Sequence, residues 1–274
     1  MCNLYRMSPK NDVEVYIRRH LSKLHLPEAL EKPFVGPFDQ GLFLRPDRDG
    51  GMQGVNGQWG LIRPGSPERI SYVQPKAKPG KKPPAPRPRS TNNARVETVD
   101  SLPTFRDAWR AGRRCLIPAE WYQEPNWQTG KNIWWQLAKA TREPWMLAGI
   151  WNDWIDPSTG ELVPSYTMLT TNCDEHPLLS RLHKPDPKLA PDKQDKRAVI
   201  HIEPEHWKAW LNGSSADAQR LLKPAPAEMF DLADAERTDA LIAAMSNVQE
   251  QALLATDALP MAGDEDGAKP QLPL

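Results

Sequence analysis

A cysteine placed directly after the initiator methionine, Met1-Cys2, opens the most distinctive chemistry in this sequence. Removal of Met1 leaves Cys2 with a free α-amine and a thiol on adjacent carbons. Ordinary pKa values of ~7.7–8.0 for such an amine and ~8.5 for the thiol put both nucleophilic forms within reach near neutrality. With an aldehyde, the amine forms an imine and the thiol closes on it as a five-membered thiazolidine. With an acyl group, the same thiol is a peptidase-type nucleophile. Three further polar residues suit the proton transfers and positioning this chemistry needs. Glu124 follows Trp121-Tyr122-Gln123 after a strand, and partial burial would raise its pKa so that it serves as acid and base. His183, in Leu182-His183-Lys184-Pro185, suits protonation of a sugar ring oxygen, which opens a cyclic hemiacetal to its aldehyde. Asn93 carries an amide that orients an amine without competing as a nucleophile. Arg6 and Arg95 suit bidentate phosphate contacts, and Trp59 suits stacking on a base.

Each residue alone also fits an ordinary role. Asn93 reads equally as a turn residue, Glu124 as a solvated or capping carboxylate, His183 as a surface histidine, and Met1-Cys2 as an idle terminus. Cys115 and Cys173 read as small buried hydrophobes. What must position the site is a chain of 274 residues, enough for one large domain or two small ones. Its 35 basic and 35 acidic residues balance, so nucleic-acid binding would need a local basic patch. The 29 prolines imply short regular elements and long irregular connections. Its 3 cysteines lack metal-ligand spacing, which argues against a disulfide framework and for a reducing compartment. No apolar run has signal or membrane-spanning length, so the expected location is cytoplasmic, with no membrane partner.

Periodicity predicts a helix over Asn11 to Leu24 and a buried strand over Gln58 to Ile62. Arg63 to Arg89 is proline-rich, and Glu68 is its one acidic residue among Arg63, Arg69, Lys76, Lys78, Lys81, Lys82, Arg87 and Arg89. It reads as an extended basic loop, either a disordered insertion or a phosphate-contacting arm. A short helix is expected over Phe105 to Gly112. Strands are expected over Cys115 to Ala119, Ile133 to Ala138, Trp145 to Trp154, Ser165 to Thr171 and Ala198 to Ile202. A helical turn over His176 to Leu182 and helices over Pro204 to Leu211 and Ala216 to Leu222 complete a folded unit of residues 2–232. Residues 233–274 form a helix-permissive stretch and, from Ala255, an acidic tail expected to be disordered.

The motifs Met-Cys-Asn-Leu-Tyr-Arg, Trp-Gly-Leu-Ile, Asn-Ala-Arg-Val-Glu-Thr, Arg-Cys-Leu-Ile-Pro-Ala followed by Glu124, Ala-Gly-Ile-Trp and Ser-Tyr-Thr-Met-Leu-Thr-Thr occur in that order. This series resembles the SOS response-associated peptidase (SRAP) family over roughly residues 2–212. The resemblance implies an α+β single domain with a twisted, partly barrel-like, mainly antiparallel β core and peripheral short helices. It implies recognition of abasic sites in single-stranded DNA and a covalent thiazolidine crosslink through Cys2 that shields the lesion. Autoproteolytic removal of residues before that cysteine is implied as well. Under it, Cys2 is the nucleophile, Asn93 positions it, Glu124 is the acid/base and Arg95 contacts the DNA backbone. No metal or cofactor is implied, and the protein would join the nucleoid when DNA is damaged.

The chain departs from the family pattern in three places. Gln123 and Pro125, not aromatics, flank Glu124. Arg63-Pro64-Gly65 stands where a second tryptophan is usual. The segment Arg181-Leu182-His183-Lys184-Pro185 replaces His-x-Arg-Met-Pro. A two-residue shift aligns His183 with the family histidine and makes Lys184 its basic partner; without it, Arg181 takes the histidine's place, and His176 is the remaining substitute. Two other classes stay open: an N-terminal-nucleophile cysteine hydrolase acting on peptides, and a non-catalytic single-strand-binding module. Nothing in the sequence calls for an oligomer.

Overall fold

A computed structural model describes residues 2–77 and 79–257, with side chains described to residue 248. The chain runs β1 (Tyr5–Met7), α1 (Lys10–Arg18), β2 (Leu24–His25), β3 (Phe34–Val35), β4 (Gln40–Pro46), β5 (Met52–Trp59), β6 (Tyr72–Val73), β7 (Arg87–Pro88) and β8 (Asn93–Arg95). It continues through α2 (Arg106–Arg110), β9 (Arg114–Asn126), β10 (Ile133–Ala138), β11 (Trp145–Ile155), β12 (Leu162–Asn172), β13 (Arg197–Val199), α3 (Trp207–Asn212), α4 (Ser215–Arg220) and α5 (Ala233–Asp257). Five strands close on themselves in the order β9-β11-β12-β5-β4 and back to β9, where Leu44 pairs with Leu116. The pairings are antiparallel except β12 with β5. The result is a mixed α+β single domain with a barrel-like sheet, outer strands and short helices.

Local chemistry sets the hairpins. Between β4 and β5 the chain turns through Gly50 at φ 78°, with Asp47 N bonded to Gly51 O at 2.9 Å. Between β11 and β12, Asp156 accepts from Ser158 N at 2.8 Å and Gly160 takes φ 72°. The strands are buried on both faces and therefore read as continuous apolar runs. Leu116, Met146, Ala148, Ile150 and Leu169 pack with α2 and α3, while Ile117, Leu147, Tyr166 and Met168 fill the opposite face. The Tyr5 and Tyr166 hydroxyls hydrogen-bond across the interior. Gly41 lies against this pair, and a Cβ there would collide with both phenol oxygens.

β9 is the element that builds the site. Its first half pairs with β11 over Arg114–Ala119, and its second half leaves the barrel to pair with β1 on one edge and β10 on the other. Glu124 therefore lies inside a strand rather than after one. The first helix ends at Arg18, because Leu24 is drawn into pairing with Met52 of β5. The basic segment is not simply extended. Its β6–β7 hairpin is closed by two pairs, Ser66 is buried, and Arg69 donates to Gln58 Oε1 at 2.7 Å. The first turns of α5 dock on β10: Asp234 accepts from Gln136 N at 2.6 Å, and Trp135 Nε1 donates to Thr238 Oγ1 at 2.9 Å. The folded body thus carries past residue 232. The acidic tail from residue 258 onward lies outside the described residues.

Candidate active site

The β1–β9 ladder sets Tyr5 opposite Tyr122 and is extended by Gln123 N donating to Leu4 O at 2.9 Å. Continuing this antiparallel path, Cys2 arrives beside the Glu124 end of β9. Cys2 is fully buried, and its thiol donates to Leu4 O at 3.4 Å. β8 lies parallel to β12, with Asn93 opposite Met168, which aims the Asn93 amide at the terminus. Asn93 Nδ2 donates to the Cys2 carbonyl at 2.7 Å, and Asn92 Nδ2 adds a second donor at 3.2 Å. A terminus with two buried amides on one carbonyl is not idle chain: each donor fixes the rotation of the Cys2 backbone, and with it the direction of its nitrogen.

His183 arrives from a different element. A 3-10 turn, Leu179–Arg181, leads to Leu182, which bridges Asn126 at the end of β9. His183 N then donates to Pro125 O at 2.6 Å, at a left-handed φ of 62°. A non-glycine residue holds that conformation only where its surroundings over-determine it. Here they do: His183 Nε2 bonds Arg197 O at 2.9 Å, and Lys196 Nζ donates to His183 O at 2.5 Å. The other ring nitrogen, Nδ1, faces Glu124 Oε2 at 3.6 Å.

Burial decides the protonation of this pair. Glu124 is only 2% exposed, and loss of solvation raises its pKa from 4.5 to about 7, opposed by the positive charge of the amino terminus. Burial, helped by that same positive charge, lowers His183 to about 4. Near neutrality the imidazole is therefore uncharged. Its Nε2–H donates to the Arg197 carbonyl, which leaves Nδ1 as a lone-pair acceptor toward a carboxyl that is partly protonated. The pair is a neutral base beside a weak acid, not an ion pair. His183 is thus not the imidazolium that protonating a ring oxygen, the role expected from sequence, would require near neutrality. The Cys2 thiol is pushed well above its ordinary value by burial and by the nearby Glu124 charge. Burial likewise raises Cys173, to about 12, and it packs in the core as Cys115 does.

His176 is committed elsewhere. Its Nε2 bonds Ala225 O at 2.9 Å, and its Nδ1 accepts from Leu179 N at 2.9 Å and Leu178 N at 3.2 Å, so it caps the 3-10 turn. Beside His183 opens a cleft of about 690 Å³, walled by Trp127, Arg181, Pro187 and Lys196. Arg181 lies over the Trp135 ring at 5.0 Å and bonds Gln128 and Asp239, while Lys184 sits 4.8 Å above the Trp127 ring. Arg6 pairs with Glu120 at 2.9 Å, and Arg95 with Asp195 at 2.7 Å; both keep about two-fifths of their side chains exposed. Trp59 corrects the sequence reading. It is fully buried, edge-on to Tyr5, and its indole N–H donates to Asn92 O at 2.8 Å, so it supports the site from inside the core and has no face for a base. Sequence reasoning passed over Asn92 and Trp127; the Asn92-Asn93 doublet was the only signal for the first. Among the described residues no cluster of three or more metal-ligating side chains occurs.

The profile of the SOS response associated peptidase (SRAP) family matches residues 2–238. This chain belongs to the SRAP family. Solved structures share its fold. A protein from Bordetella bronchiseptica is 28% identical, with a TM-score of 0.66 over 84% of this chain and 97% of that one. A protein from Bacteroides thetaiotaomicron, 21% identical, shares the fold at a TM-score of 0.61 over 84% and 90% of the two chains. A phage-related protein of B. bronchiseptica does so at 16% identity and 0.52, over 84% and 92%. No curated protein matches the chain. SRAP membership supports a DNA-damage-associated role and interaction with DNA. No helix among the described residues is long and apolar enough to cross a membrane.

Proposed function

We propose that the protein senses abasic sites in single-stranded DNA and bonds to them covalently through Cys2 once Met1 is removed. The observation that carries this reading is the pair of amides holding the Cys2 carbonyl in a buried site of SRAP type whose acid is poised near neutrality. Glu124 donates a proton as the deoxyribose ring opens to its aldehyde, and His183 Nδ1 accepts one in turn. The α-amine of Cys2 attacks the aldehyde carbon first, because burial keeps the thiol protonated. Glu124, reprotonated by the proton His183 had taken, gives it to the carbinolamine hydroxyl, which leaves as water, and recovers one from the iminium nitrogen, so that a neutral imine remains. The Cys2 sulfur then adds to the imine carbon as the thiol proton passes to nitrogen, which closes the thiazolidine. Arg181 lines the cleft beside His183, Lys184 follows that histidine in the chain, and Arg6 and Arg95 are part-exposed; these four supply the phosphate contacts. The same nucleophile underlies an autoproteolytic step on residues preceding Cys2.

The test is a denaturing gel of the processed protein with a single-stranded oligonucleotide containing one abasic site. A heat-stable adduct that disappears in Cys2→Ala supports the reading. No adduct at neutral pH from protein with a verified free Cys2 terminus overturns it. Cleavage of added peptides without an adduct would instead favour the cysteine hydrolase.

A further inference from the structure

The basic segment does more than add charge. Together with Ser90-Thr91 and the stretch before α2, it encloses a second cleft of about 440 Å³. Arg63, Arg69 and Arg89 line it, and no carboxylate does. Arg69 is anchored to Gln58, whereas Arg63 and Arg89 are exposed and make no side-chain hydrogen bond or ion pair among the described residues. Arg197, buried and paired with Glu97 and Asp195, serves the fold; two unpaired arginines aimed into one cleft hold unspent charge. The floor is apolar and aromatic, with Leu61, Phe38 and Phe105. Phe38 is half-buried and sits at φ 73°, tied by its N–H to Trp59 O at 2.7 Å. A bulky residue forced into the left-handed region at the floor of a cationic cleft is the kind of stored strain that accompanies binding.

The cleft also communicates with the site. Its wall residue Ser90 donates to Asn92 Oδ1 at 2.9 Å, and Asn92 donates in turn to the Cys2 carbonyl. We propose that this arginine-lined cleft is a second nucleic-acid subsite, holding the phosphodiester backbone of the strand that flanks the lesion, with Phe38 as the platform for one base. Guanidinium groups match phosphate geometry, and an aromatic floor stacks any base without reading its identity. A subsite of this kind suits a protein that must find a lesion lacking a base. This inference rests on the DNA reading above.

The experiment measures binding of an intact single-stranded oligonucleotide by fluorescence anisotropy across a salt series, with adduct formation on abasic DNA followed separately. In single-strand binding each phosphate contact contributes about 0.7 to the log–log salt slope, so Arg63→Ala/Arg89→Ala should flatten it by about 1.4 and weaken binding roughly 25-fold at about 0.1 M salt. Phe38→Leu should weaken binding about five- to a hundredfold with the slope retained. Lys81→Ala/Lys82→Ala removes the same charge from the same segment outside the cleft and should have a clearly smaller effect. Melting temperatures confirm folding of each variant. If wild-type protein forms the adduct but the arginine variant keeps wild-type affinity and slope, the subsite is wrong and the covalent reading stands. An effect of the lysine pair equal to that of the arginine pair also overturns the subsite, leaving only diffuse charge. A wild-type protein that neither bound DNA nor formed an adduct would overturn both.

Discussion

Replacing Glu124 with glutamine should make the protein more stable and less active, and the gain should depend on pH. The unfolded chain ionises this carboxyl near 4.5 and the folded chain near 7. Below pH 4.5 both states hold the proton and the residue contributes no pH dependence. As pH rises from there, the unfolded state releases a proton that the folded state retains, so stability falls, and the loss levels off above pH 7. The gap between the two values corresponds to a ceiling of about 3 kcal/mol at 1.36 kcal/mol per unit. The carboxyl is almost wholly buried, so solvent screening takes little from that figure. Glutamine keeps the shape without the charge. Chemical denaturation at pH 5 and pH 8, with both proteins carrying the same terminus, should show Glu124→Gln gaining ~2 kcal/mol more at pH 8 than at pH 5. The same variant should lose adduct formation. A stability difference that does not change between the two pH values, or a net destabilisation at both, would show that Glu124 is not a strained acid in the folded protein.

Other perturbations separate the site from its support. His183→Ala should slow adduct formation on ring-closed abasic sites, while His176→Ala should leave that rate near wild type and lower stability by about 2 kcal/mol through loss of its turn cap; equal rates for the two variants would undo the assignment. Asn93→Ala should slow adduct formation roughly 10- to 100-fold by freeing the Cys2 backbone, since small misplacements of a nucleophile carry that penalty; an unchanged rate at saturating DNA would remove its positioning role. Trp59→Phe should lower stability by about 2 kcal/mol, from the lost indole bond and lost volume, and leave single-strand affinity unchanged when measured below the melting transition. A fall in affinity with stability intact would restore Trp59 as a DNA contact.

Much of the barrel was legible in the sequence because long, doubly buried strands are nearly continuous apolar runs between proline and glycine turns. β10 matches its expected span, and β11 and β12 differ from theirs only at the ends. The family was legible because its motifs keep their order even where single pieces are weak. What escaped the sequence is tertiary. Glu124 reads as lying outside its strand because Glu120 ends the apolar run Cys115 to Ala119, and Gln123 and Pro125 keep the pattern from resuming along β9. Trp59 reads as a stacking surface because nothing in Trp-Gly-Leu-Ile says which way an indole points; packing against Tyr5 does. The neutral state of His183 follows from burial, which no spacing reveals. Proline and lysine content made residues 63–89 read as solvated loop, and concealed that three of its arginines converge on one cleft.

The thiazolidine ties Cys2 to the aldehyde carbon through both nitrogen and sulfur, and intact mass spectrometry of the crosslinked species reads that linkage directly. Condensation of the Cys2 aminothiol with the aldehyde predicts a mass equal to protein without Met1 plus abasic oligonucleotide, less one water. After digestion the modification should sit on the peptide beginning at Cys2, stable to heat without borohydride. Cys2→Ser, which keeps the amine but lacks the thiol, should give an adduct only when borohydride traps the imine. A heat-stable, untrapped adduct from Cys2→Ser, or one mapped to a lysine side chain, would contradict the account.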